Sequence, residues 1–169
     1  MVRRTNTGLA TSIGGVGPTG PTGPTGPAGT PTFGELIIDA SATPTAIPTQ
    51  NTFVIVTGWT ADQTSLVTLD GPNGTITPTV GAEYETHCTF DFSCTAGHRY
   101  KFQLFKNGNP IAGHGRTMGT VGVSDMSGAI SGIDVLAPGD VLTLRVTSTT
   151  HSADSVIVEN ANFSIAAIK

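Results

Sequence analysis

From Phe33 onward the chain alternates apolar and polar residues in short runs rather than at helical spacing. The clearest run is Glu83 to Cys94, where Tyr84, Cys88, Phe90 and Phe92 share one parity and Glu83, Glu85, His87 and Asp91 the other. Successive side chains of a strand point to opposite faces, so the pattern predicts a half-buried strand with an apolar inner face. The next run repeats it: Tyr100, Phe102 and Leu104 alternate with Arg99, Lys101 and Gln103. Asn107-Gly108 then offers the positive φ angles of a tight hairpin turn. After a turn at Pro138-Gly139-Asp140, Leu142, Leu144 and Val146 share a face, and DSVIVENANFSIAAIK closes the chain. Earlier, GELIIDAS, NTFVIVTGW and TSLVTLD are β-branched runs separated by Pro, Gly, Thr and Asn, with a turn at GPNG. No segment keeps a helical period. Roughly eight to ten strands in about 137 residues predict an all-β sandwich or barrel.

That reading nominates a core of Tyr84, Phe90, Phe92, Phe102, Leu104, Leu142, Leu144 and Phe163. Trp59, the single tryptophan, is expected in a strand on the same side as Phe53 and Ile55, as a core residue rather than a sugar-stacking platform.

Upstream of Phe33 a different period rules. Glycine occupies Gly14, Gly17, Gly20, Gly23, Gly26 and Gly29, and Pro18, Pro21, Pro24 and Pro27 each follow one of these glycines. Three polyproline-II chains wound together leave room only for hydrogen at their shared axis, so glycine at every third position predicts a collagen-like triple helix over residues 14–31. Such a rod would be about 55 Å long. It requires three chains, and being short it needs a neighbouring domain to hold them in register. Residues 1–13 are small and polar, with Arg3 and Arg4 their charges. The expected organisation is an N-terminal anchor segment (1–13), a Gly-X-Y stalk (14–31) and a trimeric head (32–169).

Composition narrows the function classes. Of 169 residues only 12% are charged and the net charge is −4, with Lys and Arg too few and scattered to follow a phosphate backbone; nucleic acid is not an expected partner. Hydrophobic residues make up 37%, sufficient for a real core. The first residues lack the apolar run of a secretion signal, and no stretch approaches the ~20 apolar residues of a membrane helix. Cys88 and Cys94 lie in one predicted strand, about 20 Å apart at strand rise, and are expected as core thiols rather than a disulfide.

The residues offer no catalytic set, and no enzyme activity, cofactor or metal is expected. His87, His98, His114 and His151 are the only imidazoles; none has a metal-ligand partner two or four residues on, and each is read as a solvated strand or loop residue. Asp125, Asp134 and Asp154 are weighed as loop calcium ligands and set aside on the same ground. On a threefold axis one histidine or aspartate becomes three ligands, so a trimer could build a site that one chain does not show. Asn73-Gly74-Thr75 and Asn162-Phe163-Ser164 fit the N-glycosylation pattern but are discounted without a secretory route. Thr19, Thr22 and Thr25 would be exposed on a triple helix, open to O-linked sugar.

Four features over residues 33–169 resemble a known family. They are Gly81 with Tyr84 entering an aromatic strand, the Asn107-Gly108 hairpin, Leu136 with Gly139-Asp140 before an alternating strand, and Phe163-Ser164-Ile165 with Ile168 closing the chain. Together they resemble the globular head shared by tumour necrosis factor and the first component of complement. The resemblance implies a ten-strand jelly-roll β-sandwich that trimerises about a threefold axis, which would supply the clamp the stalk needs. A collagen-like rod with such a head is similar to fibres of tailed bacteriophages and to spore-surface glycoproteins. The expected role is a homotrimeric virion fibre, anchored through Arg3 and Arg4 to capsid or tail proteins, with a head that adheres to host-surface glycans or proteins. The alternative is a receptor-binding or lectin-like adhesin of a phage tail or bacterial spore surface.

Overall fold

The computed structural model describes residues 29–119 and 125–168. Arg3, Arg4, the glycines from Gly14 to Gly26 and the three stalk threonines lie outside those residues. Gly29 is described, and a β-carbon there would meet open space.

Twelve strands are formed among the described residues: β1 (Phe33–Ile38), β2 (Pro44–Ile47), β3 (Val54–Ile55), β4 (Thr60–Ser65), β5 (Val67–Asp70), β6 (Thr75–Pro78), β7 (Ala82–Cys94), β8 (Arg99–Lys106), β9 (Asn109–Gly119), β10 (Asp125–Leu136), β11 (Leu142–Ser148) and β12 (Asp154–Ala167). They make two sheets. One runs β10-β7-β12-β1-β4 with β2 added on β12; the other runs β5-β6-β11-β8-β9 with β3 added on β11. Every strand pair is antiparallel.

The count exceeds the eight to ten read from the sequence because some strands carry no apolar alternation. β4 is TADQTS, exposed over five of its six residues, and is held by its ladder to β1. Backbone pairing makes a strand there without any side-chain signal.

The core lies between the sheets. Tyr84, Phe90, Phe92, Phe102, Leu104, Leu142, Leu144 and Phe163 are each no more than 2% exposed. Phe90 of β7 stacks on Phe102 of β8 at 4.3 Å, and Phe92 meets Phe102 at 4.9 Å, so one aromatic cluster joins the two sheets. Asp91, between the two phenylalanines of β7, is exposed, as its parity demands. Cys88 is buried, Cys94 half-buried, and the two are not joined in a disulfide; burial pushes the Cys88 thiol well up from its ordinary range.

Two expectations are corrected. Gln103, assigned to the polar face of β8, is buried, and its Nε2 donates to the Ile111 carbonyl at 2.5 Å. A register shift between Gln103 and Phe105 and the bare α-carbon of Gly115 above it make the room. Trp59 is a core residue but sits in the β3–β4 connection, not in a strand, with its ring 6.1 Å from Phe163. Phe53 and Ile55 are only half-buried, so they do not share its environment. Phe53 instead meets Phe105 edge-on at 5.0 Å.

Candidate functional site at the tip of the sandwich

Register gives the sandwich two distinct ends. The Ala167 N–H donates to the Thr32 carbonyl at 2.8 Å and the Ile168 N–H to the Glu83 carbonyl at 2.9 Å, so the chain enters and leaves the head at the start of β7. The turn at Asn107-Gly108 lies at this same base. Both residues have positive φ, 50° and 78°, as a tight hairpin requires. Asn107 Nδ2 donates to Asp140 Oδ1 at 2.6 Å, and the Ala137 N–H donates to Asp140 Oδ2 at 2.8 Å. Those two bonds, Ala137 first, and the nearby Lys106 ammonium hold the Asp140 carboxyl below the usual carboxylate range against the opposing pull of partial burial.

Thirteen residues of β7 lead to the other end, about 40 Å away at strand rise. Here the β2–β3, β7–β8 and β11–β12 loops meet at a tip. They are cross-braced. The Gln50 N–H donates to Ser152 Oγ at 3.1 Å, Gln50 Nε2 donates to the Thr149 carbonyl at 2.8 Å, and the Ala153 N–H donates to the Pro48 carbonyl at 3.1 Å. From the other side, the Thr149 N–H donates to the Arg99 carbonyl at 2.8 Å and the Arg99 N–H to Thr150 Oγ1 at 3.0 Å. Asn51 and Ala153 take left-handed backbone angles, φ 60° and 53°, a conformation that costs a residue with a β-carbon and persists where surrounding bonds over-determine it.

The centre of this network is Asp154, whose side chain is 2% exposed. The Tyr100 hydroxyl and the Ser155 N–H donate to its Oδ1, each at 2.8 Å, and His98 Nδ1 lies 2.9 Å from its Oδ2. Burial alone would raise its pKa; the bonds from His98, Tyr100, Ser155 and Ser148 together outweigh that and keep it below the ordinary value. Burial, with Asp154 as a second cause, pushes the Tyr100 phenol well up. His98 in turn stacks on His151, with ring centroids 3.6 Å apart and planes 12° apart. His98 is half-buried and the exposed His151 caps the stack.

A second histidine cluster closes the open edge between the sheets. His114 of β9 is buried, its Nδ1 donating to the Ala112 carbonyl at 3.1 Å. Its Nε2 lies 3.2 Å from Asp134 Oδ2 on β10, without usable hydrogen-bond geometry. Thr86 Oγ1 donates to the Gly132 carbonyl at 3.2 Å beneath the same pair.

The expectation that all four histidines are solvated therefore fails for His98, half-buried against Asp154, and for His114, buried with its Nδ1 on the Ala112 carbonyl; His87 and His151 are exposed. Asp154 anchors the tip network and Asp134 is half-buried on β10, while Asp125 is exposed at its start. Among the described residues no three His, Cys, Asp or Glu side chains are grouped to hold a metal ion. Asn73 caps a turn, its Nδ2 donating to Asp70 Oδ2 at 2.7 Å, and Asn162 Nδ2 donates to Glu35. The tip cluster was invisible in the sequence because His98 and Tyr100 lie more than fifty residues from Asp154. Only the pairing of Tyr100 with Ser148 across β8 and β11 brings them together.

No protein-family model and no curated protein sequence matches the chain. Solved structures do match in shape. Eiger TNF from S. frugiperda superposes with a TM-score of 0.61 at 10% identity, covering 82% of this chain and 94% of its own. The globular domain of zebrafish complement 1qA gives 0.60 at 11% identity, covering 83% and 98%. Murine APRIL gives 0.58 at 8% identity, covering 82% and 100%. The head of this chain thus has the two-sheet jelly-roll fold of those tumour necrosis factor and complement domains.

Proposed function

We propose that the chain is the subunit of a non-enzymatic homotrimeric fibre. In it residues 1–13 attach to a larger particle, residues 14–31 form the collagen-like stalk, and the head projects outward tip first. The observation that carries this reading is the uneven distribution of exposed apolar side chains. Among the described residues the large exposed hydrophobics are Leu66, Val80, Ile133, Val135, Val141 and Ile168. All of them lie in the half of the head where the stalk enters: Val135 faces Glu83 and Ile133 faces Glu85 across the β10–β7 ladder. On the outer face of that sheet the row continues from Glu85 to Ala166 and Phe33. Ile133 and Val135 are 63% and 70% exposed, and apolar groups left in water on a sheet face favour burial against another copy. Three copies joined at the base would hold three stalks side by side, which the glycine period requires. A bacteriophage particle is the anchor site we favour, with Arg3 and Arg4 of each copy engaging an acidic crevice and trimerisation adding avidity. A receptor-binding adhesin of a phage tail or spore surface is the second reading, favoured by the cross-braced loops of the tip.

Light scattering on the full chain tests the trimer. Three chains of 17.2 kDa give about 52 kDa, held at micromolar concentration by mass action, and Ile133→Asp should shift the mass toward one chain. A stable monomer of the unaltered chain overturns the reading. Deleting residues 2–13 should leave a soluble trimer that no longer decorates the particle; decoration at full occupancy would place the anchor elsewhere.

A further inference from the structure

We infer that the tip built on Asp154 is a carbohydrate-recognition surface, an assignment that rests on the outward-facing tip of the proposed fibre. Two observations point to it. The exposed residues at the tip include Gln50, Asn51, Thr95, Arg99, His151 and Ser152, groups that donate and accept hydrogen bonds. Beside them the imidazole stack offers a flat aromatic surface, rings 3.6 Å apart and 12° from parallel, with His98 held by Asp154 at 2.9 Å.

A sugar ring matches this combination. Its edges carry hydroxyls that pair with amide, hydroxyl and guanidinium groups, while its C–H face lies against a flat aromatic surface. A surface of this kind binds weakly when its loops must be ordered on contact, because fixing each side chain and loop costs free energy. Here the bonds of Gln50 to Thr149 and Ser152, and of Arg99 to Thr149 and Thr150, hold the loops before any ligand arrives. Three tips in one trimer would multiply a modest single-site affinity on a repeating polysaccharide.

The test is a printed array of neutral and acidic oligosaccharides probed with the labelled full-length chain. Binding to at least one sugar class is expected, reduced tenfold or more by His151→Ala and by Arg99→Ala. Both replaced side chains are exposed, so the fold should be retained. Asp62→Asn, at an exposed position of β4 that belongs neither to the tip nor to the apolar base patch, should leave the signal unchanged. Oligomeric mass is read on the same samples, which separates this inference from the fibre reading. A trimer that binds no sugar, or whose binding survives both tip substitutions, overturns the carbohydrate assignment alone. A monomer whose binding is lost in His151→Ala overturns the trimer and leaves the tip assignment standing.

Discussion

Gly132 of β10 has no side chain where His114 of β9 needs space: a β-carbon at that position would overlap the imidazole ring. Four residues earlier on the same strand, Gly128 leaves room in the same way. A β-carbon there would come within 2.8 Å of the Phe90 ring and 3.2 Å of Met118 Cε. His114 and Met118 are themselves four residues apart on β9 and both buried. The open edge of the sandwich is thus closed by two side chains of one sheet seated over two glycines of the other. These glycines act through close approach, not through backbone angle.

Gly132→Ala should therefore expel His114 and destabilise the head by about 1–3 kcal/mol, the usual range for forcing extra atoms into a filled site. His114→Ala alone should also destabilise, by leaving the edge unfilled. The double substitution should recover part of the loss. Denaturation of the four proteins gives the coupling, and additive losses would show that the two positions do not share space.

Acid should loosen the tip and the base turn together. Asp154 and Asp140 both have folded-state values held below the ordinary carboxylate range. Each therefore contributes stability that is fully present above the unfolded value of about 3.9 and is lost as pH falls through the lower folded value. Denaturant midpoints should be insensitive to these two groups from pH 7 down to about 5 and fall below about 4. In Asp154→Asn the midpoint at pH 7 should drop, by about 1–3 kcal/mol for a buried group whose partners are left mismatched, and the acid-side fall should be shallower. An unchanged slope in that variant would assign the acid sensitivity elsewhere.

Phe92→Ala should cost about 3–5 kcal/mol, since the ring is lost from a site too well enclosed to collapse. Phe92 touches Phe90, Tyr100 and Phe102, with centroids 6.3, 6.1 and 4.9 Å away. Asp91→Ala, one residue away on the outer face, should change stability by less than about 0.5 kcal/mol. Thermal or chemical denaturation of the pair measures the parity of β7 directly, and equal losses would contradict it.

Much of the head was legible in the chain itself. The alternation of Tyr84, Phe90 and Phe92 against Glu85 and Asp91 determines which face of β7 turns inward, because a strand cannot place neighbouring side chains on the same side. Asn107-Gly108 determines a hairpin, since few other residue pairs accept two successive positive φ angles. The glycine period of residues 14–29 supports only the proposal of a three-chain stalk, nearly all of which lies outside the described residues.

Tertiary structure decided the rest. Gln103 carries the polarity of an exposed position, yet a register shift and Gly115 bury it with a backbone partner. β4 has no apolar pattern, and only its ladder to β1 makes it a strand. Nothing near Asp154 in sequence marks it as a buried carboxylate. Its partners Tyr100 and His98 arrive from another strand and another loop, through the pairing of β8 with β11. Local rules set parity and turn type because they act within a few bonds. The histidine stack at the tip and the glycine seats at the sheet edge are contacts between distant segments, and these exist only once the two sheets have packed.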